Sequence, residues 1–136
     1  MNETGWMQDR SVEARELDAT SAKVIACSHR VQNVLGCGFL EKVYENALCL
    51  ELRRGGLEVQ QQLPLRVMYG GVVVGDYVPD LLVEGSLIIE IKAVTGISPP
   101  HRQQCLNYLR AGNFSLGLLL NFGRAHLEVG RVVYRF

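Results

Sequence analysis

The sequence predicts one α/β domain in which a mixed sheet is flanked by helices, with elements in the order ααβββαββ. Three observations predict this class. Two segments with helical apolar periodicity come first. Three β-like runs separated by glycine-rich turns follow, and a short helix then leads to two final strands. A meander between helices fits a two-layer or three-layer sandwich, and 136 residues suffice for one core.

The two leading helices are predicted from apolar steps of three and four residues. The first begins at Asp18 and is stopped by Gly36-Cys37-Gly38. The second runs from about Leu40 to Arg54 and ends at Gly55-Gly56. Residues 1–17 are polar and charged without a period, so we expect a flexible N-terminal tail before a domain of residues 18–136.

The remaining elements follow from β-like composition and turn signals. A proline at position 64 inside the first run indicates an edge strand or a bulge. Pro99-Pro100 leads into the third helix. The predicted elements are strands Val59–Tyr69, Val72–Val83 and Leu87–Val94, helix His101–Arg110, and strands Leu116–Phe122 and Leu127–Tyr134.

Composition excludes several classes of protein. Hydrophobic residues make up 48% of the chain, which excludes a disordered protein, and the formal net charge of zero argues against a strongly basic coat. The four cysteines lack zinc-site spacing, and three lie in predicted helical segments, so we interpret them as small apolar residues of a protein in a reducing compartment. The N-terminus does not resemble a signal peptide and no apolar run is long enough to span a membrane, so we expect a cytoplasmic protein without a membrane partner.

The most informative segment is Pro79-Asp80, followed after nine residues by Glu90-Ile91-Lys92. The second part lies in an apolar run that is typical of a buried strand. Charges in such a strand are costly unless they are satisfied. Two interpretations are open: a divalent-metal site, or a structural Glu90–Lys92 salt bridge with Asp80 capping a turn.

The register of the hairpin decides whether these charges converge. If Glu84-Gly85-Ser86 form a three-residue loop, Asp80 lies opposite Glu90, and directly opposed side chains share a face. If only Gly85-Ser86 form the turn, Asp80 faces Ile91 and the charges are divided between two faces. The converged pair would suit Mg²⁺, which takes one or two carboxylates, and Lys92 would lie just beyond to balance charge on a phosphorane.

Three motifs resemble known families. Pro79-Asp80…Glu90-Ile91-Lys92 resembles the signature of the PD-(D/E)XK nuclease superfamily. Residues 38–44, Gly-Phe-Leu-Glu-Lys-Val-Tyr, resemble the motif of the small G-x-x-E-x-x-Y family of bacterial and archaeal proteins within it. Residues 104–108, Gln-Cys-Leu-Asn-Tyr, are similar to the Q-x-x-x-Y motif of RecB-type exonucleases. The resemblance covers the chain from about Ala19 to its end.

The resemblance implies a restriction-endonuclease-like fold. It also implies a nuclease that depends on Mg²⁺ or Mn²⁺ and acts on nucleic acid, and we expect that nucleic acid to be DNA. It implies that Asp80, Glu90 and Glu41 bind the metal and that Lys92 is the catalytic lysine. Gln104 and Tyr108 would contact substrate or support Lys92. The spacing agrees in part, because residues four apart share a helix face. The alternative is a non-catalytic nucleic-acid-binding or interaction module that retains the fold. A homodimer or a protein partner would fit either case.

Overall fold

The computed structural model describes the backbone of residues 3–135 and the side chains of residues 12–135. Three helices and seven strands are present in this part of the chain. In chain order they are α1 Glu3–Leu35, α2 Glu41–Arg54, β1 Val59–Gln61, β2 Leu65–Tyr69, β3 Val72–Tyr77, β4 Leu81–Val83, β5 Leu87–Lys92, α3 Pro99–Gly112, β6 Leu116–Asn121 and β7 Glu128–Val133.

The main sheet is mixed and has five strands in the order β1-β4-β5-β6-β7. Strands β5 and β6 are parallel, and the other neighbours are antiparallel. Helices α1 and α2 contact one face of the sheet, and α3 contacts the other. Strands β2 and β3 form a separate two-stranded ribbon beside α3. The predicted fold class is therefore confirmed, in its three-layer form.

Strand β5 is buried on both faces, as expected for an inner strand. Leu87, Ile89 and Ile91 pack into the large core beneath α1 and α2. Ile88 packs into a smaller core on the α3 face, and residues of its parity point the same way. Glu90 and Lys92 therefore lie on the α3 face at the carboxyl end of this strand.

The expectation of a loose tail over residues 1–17 is wrong for residues 3–17, because α1 already begins at Glu3. The segment contains neither glycine nor proline between Trp6 and Leu35, so nothing interrupts the helix. Leu17 is only 2% exposed and anchors this part of α1 on the core. The amphipathic periodicity of residues 3–17 is weak, which is why the sequence pattern did not predict a helix in this segment.

Two predicted strands are each divided in the structure. Between β1 and β2, Gln62 has a left-handed φ of 57° and Pro64 lacks an N–H, so the ladder stops. Between β3 and β4 the break falls at Pro79 for the same reason. The order is therefore ααβββββαββ, and the breaks allow β2 and β3 to leave the main sheet.

Helix α3 packs closely on the sheet because β6 presents a glycine to it. A Cβ added at Gly117 would lie 2.6 Å from Sγ of Cys105. The start of α3 is fixed by Ser98, whose backbone N–H donates to Nδ1 of His101 at 3.0 Å. This close approach brings the amino-terminal half of α3 to the end of β5.

Candidate active site

The β4–β5 hairpin places two carboxylates side by side. Val83 pairs with Leu87, so residues 84–86 form the three-residue loop, and Leu81 pairs with Ile89. One step further, the backbone N–H of Asp80 donates to Oε1 of Glu90 at 2.9 Å. Oδ2 of Asp80 accepts from the N–H of Ile91 at 2.7 Å. The register that brings Asp80 opposite Glu90 is the one present.

Burial disfavours ionisation of both carboxyl groups, and the charge of Asp80 adds to this effect at Glu90. Glu90 is 3% exposed, and burial, followed by the nearby Asp80, raises its pKa to about 8. Burial is also the main cause that raises the pKa of Asp80, against the hydrogen bond from Ile91. Glu90 with this pKa holds a proton at neutral pH, which a bound cation would displace.

Lys92 is held by the third helix. Its Nζ donates to Oε1 of Gln104 at 3.3 Å. The four ion pairs found among residues 12–135 include neither Lys92 nor Glu90. The purely structural interpretation, a Glu90–Lys92 salt bridge with Asp80 capping a turn, is therefore not what the structure forms.

Glu41 lies at the first turn of α2 and is exposed. Its Oε1 accepts from the N–H of Ala93, one residue beyond Lys92, at 3.4 Å. It shares the lining of a cavity of about 550 Å³ with Asp80 and Glu45. Glu41 thus faces the same opening as Asp80, although its one hydrogen bond is to backbone.

The loop before α2 is fixed by a buried tyrosine. Tyr44 stacks on Phe122 at a ring separation of 4.8 Å and 9° between planes. Its hydroxyl donates to the carbonyl of Gly36 at 2.7 Å and accepts from the N–H of Phe39 at 3.2 Å. This residue packs with a satisfied polar tip and sets where α2 begins, and so where Glu41 lies.

Sequence reasoning missed Glu45 and Gln62. Glu45 is 3% exposed, and its carboxylate accepts from Lys42 at 3.0 Å and from Gln61 at 2.6 Å. Nε2 of Gln62 lies 3.1 Å from both oxygens of Glu45 and 3.3 Å from Oδ1 of Asp80. Burial opposes ionisation of Glu45, but hydrogen bonds from Gln61, Gln62 and Lys42 outweigh it and lower the pKa. Gln62 is therefore a bridge between Asp80 and an ionised carboxylate behind it.

Tyr108 occupies the α3 face four residues after Gln104. It is 6% exposed and packs in the smaller core with Leu82 and Ile88. Burial, and then the negative charge of Glu90 and Asp80, raises the pKa of its hydroxyl. Tyr108 therefore lies near the carboxylate pair but contributes chiefly packing.

A buried amide secures the loop after Lys92. Asn121 pairs with Lys92 across β5 and β6 and is fully buried. Its Oδ1 accepts from Val94 and Gly123, and its Nδ2 donates to Val94 and Glu128, each at 3.0 Å. All four hydrogen-bonding sites of the side chain are used, which fixes the segment that follows the lysine.

No three histidine, cysteine, aspartate or glutamate side chains cluster tightly enough to hold a metal alone within the part of the chain that the structure describes. The predicted set of Asp80, Glu90 and Glu41 is thus not assembled as a closed cage. The donors do suit a hard cation such as Mg²⁺, which binds through one or two carboxylates and fills its other positions with water and phosphate. None of the helices described is long and apolar enough to cross a membrane.

This fold and this arrangement define a nuclease-type α/β domain, and sequence comparison agrees. A model of the PD-(D/E)XK nuclease superfamily matches residues 18–132, so the chain belongs to that superfamily. No curated protein matches the chain. The narrower likeness to G-x-x-E-x-x-Y proteins stays a prediction.

Two solved structures resemble the fold. The crystal structure of SSO0001 has a TM-score of 0.56 and 18% identity, covering 70% of this chain and 50% of its own. The chain therefore spans half the length of that structure. The crystal structure of an alkaline exonuclease from Laribacter hongkongensis has a TM-score of 0.48 and 12% identity, covering 79% of this chain and 76% of its own.

Proposed function

We propose that this protein is a divalent-metal-dependent nuclease that hydrolyses phosphodiester bonds in DNA. The observation that carries the proposal is the pairing of Asp80 and Glu90 at the end of β5, with Lys92 next to them on the same face. Membership of the superfamily supports it. We also propose that the protein acts in the cytoplasm.

Asp80 and Glu90 are the residues that would hold Mg²⁺ or Mn²⁺. Each is fixed by a backbone hydrogen bond through one oxygen, and oxygens keep further lone pairs for a ligand. Burial raises both pKa values, and a bound cation would favour the ionised form of each carboxyl group. Glu41, across the same opening from Asp80, is suited to bind the cation or to hold its water ligands.

The side chains of the site then have distinct proposed roles in hydrolysis. When bound, the cation supplies a Lewis acid that polarises the scissile phosphate. Lys92, held by Gln104, positions the attacking water and balances negative charge as the phosphorane forms. Gln62 and Glu45 keep Asp80 in place from behind. Tyr108 supports the strand beneath, and its polar tip lies within the field of the two carboxylates.

A cleavage assay tests the proposal. Purified protein is incubated with single-stranded, double-stranded and branched DNA, and with RNA, in Mg²⁺ or Mn²⁺. We expect cleavage of at least one DNA form, and loss of about 100-fold or more with Lys92→Ala. Lys23→Ala, on the exposed side of α1, is the matched control and retains activity. Absence of cleavage of every substrate by the wild type contradicts the proposal.

The second candidate is a binding or interaction module without catalysis. One observation favours it: every residue of β3 is exposed, including Val72, Val73 and Val74. Thermal unfolding with Mn²⁺ separates the two, because a ligand held only by the native state stabilises it. The nuclease predicts a rise in Tm that Asp80→Asn and Glu90→Gln abolish and Asp76→Asn retains. If Mn²⁺ does not raise the Tm, or if the rise is the same in Asp80→Asn and Glu90→Gln as in the wild type, the binding module is favoured.

A further inference from the structure

A second cavity lies beside the candidate active site, on the α3 face. Its volume is about 540 Å³, and it lies where the β2–β3 ribbon meets α3 and the segment after β7. The residues that line it are Arg66, Val67, Met68, Tyr77, Asn107, Arg110, Ala111 and Tyr134. None of the roles assigned above uses this cavity.

The lining carries positive charge without a carboxylate. Arg66 and Arg110 are exposed, and neither takes part in an ion pair among residues 12–135. Asp76 lies opposite Arg66 in the ribbon, but it neither lines the cavity nor reaches the guanidinium. Hydrogen bonding to Arg135, followed by the positive charges of Arg135 and then Arg110, lowers the pKa of Tyr134. The cavity is therefore an anion site in character.

Two aromatic rings and an amide supply the rest of the lining. Tyr77 is exposed and packs edge-on against Tyr108 of the smaller core. Tyr134 and Ala111 pack against that core, and the guanidinium of Arg135 lies 4.9 Å from the centre of the Tyr134 ring, over one face, so that a base would stack on the other. Exposed aromatic faces next to guanidinium groups are the combination that binds unpaired nucleotides, since bases stack on the rings and phosphates pair with arginine. Asn107 adds a group that can donate and accept hydrogen bonds.

Helix α3 and its contacts connect the cavity to the candidate active site. Tyr77 packs edge-on against Tyr108 at a ring separation of 5.5 Å. Gln104, which holds Lys92, and Ala111, in the cavity lining, are two turns apart on one helix face, a rise of about 10 Å. A strand whose scissile phosphate lies at Lys92 would therefore reach the cavity within a few nucleotides.

We propose that this cavity binds an unpaired nucleotide of the substrate strand, with Arg66 and Arg110 on phosphate and Tyr77 and Tyr134 against the base. The proposal rests on the proposed nuclease function and adds a preference for single-stranded substrate. It also accounts for how a protein of zero net charge holds a polyanion, because the positive groups are concentrated beside the site.

Binding without cleavage provides the test. Fluorescence anisotropy in EDTA follows a labelled single-stranded DNA oligonucleotide and the matching duplex across a salt series. We expect the single strand to bind more tightly than the duplex. Arg66→Ala/Arg110→Ala should weaken binding of the single strand about tenfold. The slope of log affinity against log salt concentration should become shallower by about 1.4, the value for two phosphate contacts on a single strand. Arg66→Lys/Arg110→Lys should restore most of that salt dependence, since the charge is kept.

The matched control is Arg15→Ala/Arg54→Ala, which removes the same charge from exposed positions on α1 and α2. Equal weakening by both double variants overturns the proposal, as does absence of binding by the wild type. Tyr77→Leu should weaken the oligonucleotide about tenfold, whereas Tyr77→Phe should not. An abasic oligonucleotide that binds as tightly as the normal one overturns the base contact.

Cleavage by the same variants separates this proposal from the function on which it rests. If the wild type cleaves DNA but the arginine substitutions do not change binding, the nucleotide site is contradicted and the nuclease function is supported. If the wild type never cleaves but binds DNA through Arg66 and Arg110, the nuclease function is contradicted and the nucleotide site is supported.

Discussion

Gln62 donates two hydrogen bonds to Asp80, one from its backbone and one from its side chain. Its N–H donates to the carbonyl of Asp80 at 3.0 Å, and its Nε2 donates to Oδ1 of Asp80 at 3.3 Å. The same Nε2 lies 3.1 Å from both oxygens of Glu45. A residue with a left-handed φ of 57° therefore orients a proposed metal ligand.

Two substitutions of Gln62 distinguish the effect of its side chain on metal binding from the effect of its backbone conformation on stability. Gln62→Ala and Gln62→Gly both remove the bridge, and we expect each to weaken Mn²⁺ binding about 10-fold or more, as loss of an orienting partner does. Gly tolerates the left-handed φ, so Gln62→Gly should be more stable than Gln62→Ala by about 1 kcal/mol. Titration calorimetry and urea unfolding measure the two effects.

Gln60→Ala is the control, because Gln60 is exposed on β1 near the site and should change neither quantity. Unchanged Mn²⁺ affinity in both Gln62 variants would show that Asp80 does not need this bridge.

The raised pKa of Glu90 predicts how the metal-free protein responds to pH. Its folded value of about 8 exceeds its ordinary value of 4.5, so between these values the folded state binds more protons than the unfolded one. Stability therefore falls as pH rises through this window. Glu90→Gln keeps the acceptor for the Asp80 N–H and should flatten the fall. Urea midpoints in EDTA from pH 5 to 8 provide the measurement, and parallel curves for the two proteins would contradict the assignment.

The contact between Gly117 and Cys105 predicts a coupled pair of substitutions. Gly117→Ala places a methyl 2.6 Å from Sγ of Cys105 and should cost about 1–3 kcal/mol. The cost should be largely relieved in a Cys105→Ala background, where the sulfur is absent. Because α3 also carries Gln104, the single variant should lower cleavage as well.

Gly75→Ala serves as the comparison, since a Cβ there meets nothing within 4 Å. Additive free energies of unfolding for Gly117→Ala and Cys105→Ala would mean that helix and sheet are not held this closely.

Much of the fold was open to prediction because it depends on local signals. Glu84-Gly85-Ser86 indicated a turn but left two hairpin registers open, and the left-handed φ values of Glu84 and Gly85 show how the three-residue loop turns. The breaks near Pro64 and Pro79 were harder. A missing N–H marks a strand end, but it does not say that the chain then joins a different sheet.

The part of the site that sequence did not reveal depends on tertiary contacts. Glu45 looks like a surface residue three positions from Lys42, with which it forms an ion pair. In the structure it is buried, and Gln61 and Gln62, which are distant in sequence, donate hydrogen bonds to its carboxylate. Gln62 belongs to no motif, and its left-handed φ lies where the chain leaves the main sheet for the β2–β3 ribbon. Asp80, Glu90 and Lys92 were visible because charges are rare in an apolar strand.

The proposed function requires that Asp80 and Glu90 together bind a divalent cation. Anomalous diffraction from crystals soaked in Mn²⁺ would locate such an ion. We expect a peak within about 2.5 Å of a carboxylate oxygen of each residue, and its loss in Asp80→Asn. A wild-type crystal at saturating Mn²⁺ with no peak between Asp80 and Glu90 would contradict it.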